Sequence, residues 1–158
     1  MNELRVPTIC LPVEIRCTDG RLLLGDIFMP AHSSRQPGPM RPDEWCDTVQ
    51  TFFPVRSRDA HTTTLLSREA VVSVTVPASA NEDDAESHMD SPVARVAVEA
   101  AGARYEGDLV VDMPPGHQRV ADWLNAPAPF ITLRAGVAHH LIQKRHVTAV
   151  VELDGARR

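Results

Sequence analysis

The chain has 158 residues, 23% of them charged and 4% aromatic, with a formal net charge of −5. That balance argues against a broad phosphate-binding surface, which depends on massed lysine and arginine, and leaves room only for a local basic patch. No apolar run approaches the roughly 20 residues of a membrane-spanning helix, and the opening MNELRVPTICLPVEIR lacks a signal-peptide layout, so a cytoplasmic location is expected.

Residues 11–17 alternate Val13, Ile15 and Cys17 with Glu14 and Arg16. Period two predicts a strand with one buried face. Thr18-Asp19-Gly20-Arg21 is a hairpin turn signal, and residues 22–28 form the return strand, with Gly25 marking a bend. Residues 30–42 carry Gly38, four prolines and two serines and predict an exposed, irregular loop. Pro42-Asp43-Glu44 opens a short helix, since proline suits its first position and carboxylates its positive end. Trp45 and Val49, four apart, share its buried face. Residues 51–57, 61–66 and 70–76 follow as strands, the last ended by Pro77. Residues 78–92, ASANEDDAESHMDSP, are small and acidic and predict a solvated linker. Strands over 94–101 and 103–111, a short loop at 113–116, a helix over 118–125 and strands over 130–134, 139–143 and 147–153 complete the chain.

The second set of elements restates the first. RPDEWCDTVQTFFPVR (41–56) lies on RVADWLNAPAPFITLR (119–134) without a gap. Arg41 falls on Arg119, Trp45 on Trp123, Phe52 on Phe130 and Arg56 on Arg134. These are the only two tryptophans, each seven residues before a phenylalanine. An internal duplication predicts two copies of one small domain, residues 8–77 and 93–154, joined by the acidic linker 78–92. Units so small have thin cores, so each copy is expected to lean on the other.

The stretch Asp19-Gly20-Arg21-Leu22-Leu23-Leu24-Gly25-Asp26-Ile27 resembles the first motif of Sm-like small barrels. That motif is an acidic-Gly-Arg turn followed by a strand glycine and an apolar residue. The second copy is similar through Gly102, Arg104, Gly107 and Leu109, and GDLVVDMPPGHQRVADWLNAPAPFITL resembles an uncharacterised bacterial family of Sm-like domains. The resemblance covers most of both copies. It implies an all-β fold of two tandem five-stranded Sm-like or SH3-like barrels, each with a short helix between strands two and three. It also implies association of the fourth strand of one barrel with the fifth of the next, hence a homo-oligomer, either a ring of three chains or a dimer. The family's nucleotide-contacting pairs do not carry over. Phe28-Met29-Pro30 and Ser67-Arg68-Glu69 stand in their places in copy one, and Gln143-Lys144-Arg145 stands in the second place in copy two.

Arg21, Arg56, Arg104, Arg134, Lys144 and Arg145 are the candidate contacts to a ligand or RNA, if they gather on one face. Arg56 and Arg134 end the third strand of each copy; each either grips a phosphate or carboxylate or pairs with a repeated acid, Asp26 and Asp108 or Glu44 and Asp122. Trp45 and Trp123 either stack on bases or anchor the helices. His139 and His140 face opposite sides of a strand and share a metal poorly; His61 aligns with His139. Cys10, Cys17 and Cys46 lack a CxxC spacing and read as structural thiols. No phosphate loop, nucleophile elbow or HExxH pattern occurs, so no catalysis, cofactor or metal is expected. The residues point to a non-catalytic protein-interaction or scaffold module that self-associates and holds an unidentified protein partner. An RNA-binding Sm-like ring is one alternative; a small-molecule sensor, with a closed pocket lined by His61 or His139 and an acid, is another.

Overall fold

The computed structural model describes residues 7–35, 37–81 and 91–153. The chain is all-β. Its strands are β1 (Thr8–Cys17), β2 (Leu22–Pro30), β3 (Phe52–Ser57), β4 (Thr63–Ser67) and β5 (Val71–Pro77) in the first half. The second half holds β6 (Val93–Ala100), β7 (Ala103–Val110), β8 (Phe130–Ala135), β9 (Ala138–Gln143) and β10 (Val147–Glu152). Helices α1 (Pro42–Thr48) and α2 (Val120–Leu124) lie between the second and third strand of each half. All of the predicted strands and both helices are present, their ends shifted by at most three residues.

The strands form one ten-stranded antiparallel sheet in the order β10-β6-β7-β8-β9-β5-β1-β2-β3-β4. Each half therefore has the same internal order: fifth, first, second, third, fourth. The all-β class expected from the chain is present with five strands in each half, and these strands are hydrogen-bonded as one continuous open sheet rather than as two five-stranded sheets each closed on itself. The outer side of β5 is taken by β9, from Ser73 opposite Ile142 to Pro77 opposite Ala138. A strand side filled by one partner cannot also close onto another.

This junction explains why β5 does not simply alternate. Val71, Val72, Ser73 and Val74 are all buried. Val71, Val74 and Val76 join the core of the first half with Ile15, Ile27 and Val55. Val72 joins the core of the second half with Val98, Leu133 and Ile142. Strand β9 is shared in the same way: Leu141 packs into the first core and its neighbour Ile142 into the second. A strand buried on both faces reads as an apolar run.

The strand glycines set the close approach of the third strand. A Cβ built on Gly25 would run into the carbonyl oxygen of Arg56, and one on Gly107 would come 2.5 Å from the carbonyl oxygen of Arg134. Two expectations are corrected. The proline-rich loop 30–42 is not wholly exposed: Met40 is buried in the first core, and Ser33 Oγ donates to the buried Glu44 carboxylate at 2.8 Å. The acidic segment does not begin as solvated linker. Ala78 and Asn81 are buried, and the Ala78 N–H donates to the Val137 carbonyl at 2.8 Å. Residues 82–90 of that segment lie outside the described residues. Among the described residues no helix is long and apolar enough to cross a membrane.

Candidate functional site

Two polar clefts lie where the halves meet, and each is lined by residues of both. The first, of about 200 Å3, is lined by Arg41, Asp43 and Asn81 from the first half and Val110, Asp112, Trp123, Thr132 and Arg134 from the second. Arg41 is the extended residue immediately before α1, and Pro42 opens the helix. Arg41 Nη2 lies 3.5 Å from Asp43 Oδ2. The Asp43 backbone N–H donates to Asn81 Oδ1 at 3.0 Å, and Asn81 Nδ2 lies 3.1 Å from His139 Nδ1. Asn81 and His139 are both buried. The Asn81 side chain thus ties the start of α1 to β9 and fixes one wall of the cleft. The opposite wall is β8, from which Thr132 and Arg134 project, together with α2. The Trp123 indole N–H is buried, with no acceptor among the described residues.

Helix α2 is held at both ends. Asp122 accepts from the Arg119 backbone N–H at 3.1 Å and from Arg119 Nε at 3.2 Å. These bonds hold the Asp122 carboxyl below its ordinary range. Lys144 Nζ donates to the carbonyls of Trp123 at 3.2 Å and Ala126 at 2.8 Å, satisfying the open C-terminal end of the helix. Burial pulls the Lys144 ammonium below its ordinary pKa, against the pull of Asp47.

The second cleft, of about 260 Å3, is lined by Glu14, Arg16, Leu22, Ser73, Thr75, Arg104, Tyr105, Glu106 and His140. Ser73 Oγ and the Tyr105 hydroxyl are 2.6 Å apart. His140 Nδ1 lies 2.8 Å from Thr75 Oγ1, and its ring sits 5.2 Å from that of Tyr105. Burial lowers the His140 pKa, partly opposed by the Glu14 carboxylate.

The six basic residues singled out in the sequence do not act as one group. Arg21 stays in the β1–β2 turn, 3.6 Å from Asp19. Arg104 lies 3.0 Å from Glu106 and 3.7 Å from Glu99. Lys144 caps α2, and Arg145 lies 2.9 Å from Glu69 of the other half. Arg56 is exposed on β3, opposite Asp26 and Thr63. Arg134 lines the first cleft. The repeated acids take other arginines as well: Asp26 lies 3.8 Å from Arg58 and Asp108 lies 3.5 Å from Arg95. Trp45 anchors α1, buried edge-on against Phe53 with centroids 5.1 Å apart. Cys17 and Cys46 are buried and Cys10 is exposed.

The alignment of His61 with His139 is corrected by the register. Arg56 pairs with Thr63 in one half and Arg134 with His139 in the other, so Thr63 holds the place of His139. His61 belongs to a longer β3–β4 turn, where its φ is +51°. Neither cleft is lined by His61 or His139. No local pattern along the chain marks Asn81 or Thr132 as site residues, because their meeting depends on how the halves dock. Arg41 was visible only as a repeated position.

Among the described residues no group of three or more His, Cys, Asp or Glu side chains is placed to hold a metal ion. Comparison with family models, curated proteins and solved structures found no match to this chain.

Proposed function

We propose that the chain is a self-assembling scaffold module: two Sm-like small barrels, descended from one duplicated unit, that join to further copies by repeating their internal junction. Strand β9 is the fourth strand of its half and β5 the fifth of the other, and these two pair within the chain. Their counterparts, β4 and β10, are the two outer edges of the sheet.

One observation carries this proposal. Leu141 and Phe130, on the strands covered by the first half, are 0% and 7% exposed. Leu65 and Phe52, at the same register positions of the first half, are 68% and 60% exposed. The covering strand has its counterpart too. Val71 and Val147 each follow a three-residue 3-10 turn; Val74 pairs with Ile15, and Val150 with Val98. Repeating the β5–β9 register between chains sets Val150 of one copy against Leu65 of the next, and Val151 against Thr64. Val151 is exposed.

Covering one leucine or phenylalanine contributes about 1.5–3 kcal/mol, and the pairing also satisfies the open edge strands. Such a head-to-tail contact either closes as a ring or continues as a filament. Three chains make a ring of six units. Local pairing of Arg21, Arg104, Lys144 and Arg145 favours a protein partner over RNA.

Native mass spectrometry of the protein purified from its own cells at low salt tests this. The expected result is a homo-oligomer in multiples of 17.4 kDa, with or without a second protein. A strict monomer would overturn the assembly. A ring carrying salt-labile oligonucleotide would replace the scaffold function with RNA binding, because counterion release makes phosphate contacts salt-sensitive.

A further inference from the structure

The two cores are alike in depth and unlike on one side. Ile15 and Val98, Ile27 and Leu109, and Val55 and Leu133 hold equivalent places and are all buried. Val71, Val74 and Cys46 are buried too. Their equivalents Val147, Val150 and Leu124 are only half-buried, packed at the margin of the second core. In the first half this side is closed by Phe130 and Leu141, which come from the second half and pack in the first core, while α1 packs on β8. Among the described residues no strand lies beyond β10 to close the second core in the same way.

Carrying the in-chain joint over to this open side, register for register, changes its side chains in matched pairs. Ser73 pairs with Arg16 and Ala149 with Glu99, next to the same bulge. Leu23 pairs with Ile15 and Tyr105 with Val98. The Ser73–Tyr105 hydrogen bond therefore becomes Ala149 against Leu23 of the next copy, apolar on both sides. A polar group lost from one side alone would strand its partner; here both sides change together. The ion pair of Arg145 with Glu69 recurs with its members exchanged, because the two are equivalent residues of the 3-10 turns before β10 and β5. Arg145 of one copy meets Glu69 of the next. Ala149, Arg145 and Glu69 are exposed in the single chain.

We propose that the open side of the second core, lined by Leu124, Val147 and Val150, is a socket for Phe52 and Leu65 of a second copy, entered in one direction and one register. Ala149 then faces Leu23 of the entering copy, and Arg145 lies beside its Glu69. This inference rests on the self-assembly proposed above and adds what selects the partner edge. Each chain carries one plug, on β3 and β4, and one socket, on β10 and α2. They stand at opposite edges of the sheet, so the joint is heterologous. Pairing β4 on β4 would leave both sockets empty, and pairing β10 on β10 would leave both plugs in solvent.

The test mixes two full-length variants, each blocked on one side. Leu65→Asp spoils the plug and keeps the socket. Ala149→Arg spoils the socket and keeps the plug; its new arginine lies opposite Glu99, and Val151→Asp replaces it if it does not fold. Sedimentation velocity is expected to find each variant monomeric and their mixture a dimer of twice 17.4 kDa that grows no further. Glu69→Lys, added to the plug chain, is expected to weaken this dimer about two- to fivefold at low salt, the range for an exposed ion pair. Arg145→Glu, added to the socket chain, is expected to restore it, which a defect confined to one chain would not allow. The inference is overturned if either blocked variant self-associates, if the mixture stays monomeric while the parent assembles, or if Arg145→Glu restores nothing. A parent that is itself monomeric at every concentration overturns the self-assembly and the socket together, so the two failures are told apart.

Discussion

Leu65 and Leu141 hold the same place in the two halves, one opposite Pro54 on β3 and the other opposite Thr132 on β8, yet Leu65 faces solvent and Leu141 is fully buried. The difference lies in what covers them. Strand β5 and the core of the first half cover Leu141; among the described residues no strand lies beside β4 to cover Leu65 in the same way.

Substituting the two leucines is therefore expected to give opposite outcomes. Leu65→Asp should abolish self-association and leave the fold of the single chain intact and its stability within about 0.5 kcal/mol of the parent, as surface changes do. Leu141→Ala should cost about 2–5 kcal/mol of stability, the range for emptied core leucines. Sedimentation velocity reads the first and denaturant unfolding the second. A Leu65→Asp protein that keeps the parent's oligomeric mass would exclude the β4–β10 contact.

The strand glycines should tolerate no side chain. At both Gly25 and Gly107 the obstacle is backbone, the carbonyl of the facing arginine, which cannot rotate aside. Gly25→Ala and Gly107→Ala are each expected to cost about 1–3 kcal/mol, the range for overpacked sites. If either variant unfolds at the parent's denaturant midpoint, the close approach of the third strand is wrong.

Stability should fall as the solution is acidified below about pH 6.5, in part through His140. Burial depresses its folded-state pKa below the ordinary 6.5. The unfolded chain then binds the extra proton first, so His140 contributes full stability above about pH 6.5 and loses it as pH drops toward the folded-state value. Glu14, Glu106, Arg16 and Arg104 share its cleft, and Glu14 reduces the shift. Urea midpoints at several pH values between 7.5 and 5 measure the slope, and His140→Gln should flatten it. An unchanged slope in that variant would assign the acid sensitivity elsewhere.

The Ser73–Tyr105 hydrogen bond should show strong coupling. Tyr105→Phe leaves the buried Ser73 hydroxyl without its partner, at a cost of about 1–3 kcal/mol. The double variant Ser73→Ala, Tyr105→Phe should cost less than the sum of the single changes, because both polar groups are then gone. Additive single effects in the double-mutant cycle would mean that the bond does not form in solution.

Native thiol labelling should separate the cysteines. Cys10 is exposed, whereas burial raises the thiols of Cys17 and, more strongly, Cys46. Because the thiolate is the reacting species, one fast equivalent followed by two slow ones is expected. Three fast equivalents in folded protein would contradict the packing of β1 and α1.

Much of the fold was legible along the chain, because each strand carries its own alternation and each turn its own glycine or aspartate. Thr18-Asp19-Gly20-Arg21 marked the first hairpin, and Gly25 and Gly107 marked the approach of the third strand. The burial within loop 30–42 is not legible, because Met40 looks like any loop residue until the core beneath it exists. The site was less legible. Arg134 stands out as a repeated strand-end arginine, but its cleft partners Arg41 and Asn81 lie 93 and 53 residues earlier, and no local pattern links them. A gapless alignment sets His61 on His139, but the β3–β4 turn is longer than the β8–β9 turn and such an alignment cannot absorb that difference.

By itself, the sequence determined the elements and their internal equivalence. Side-chain periodicity is a property of neighbours along one strand, and Trp45 with Phe52 recurs as Trp123 with Phe130. Only the tertiary structure decided which edges meet. Backbone hydrogen bonding along a strand edge is nearly the same for any residue, so β5, with apolar side chains on both faces, does not announce that β9 rather than β4 will lie beside it. That choice buries Leu141, leaves Leu65 in solvent, and brings Arg41 and Arg134 to one cleft.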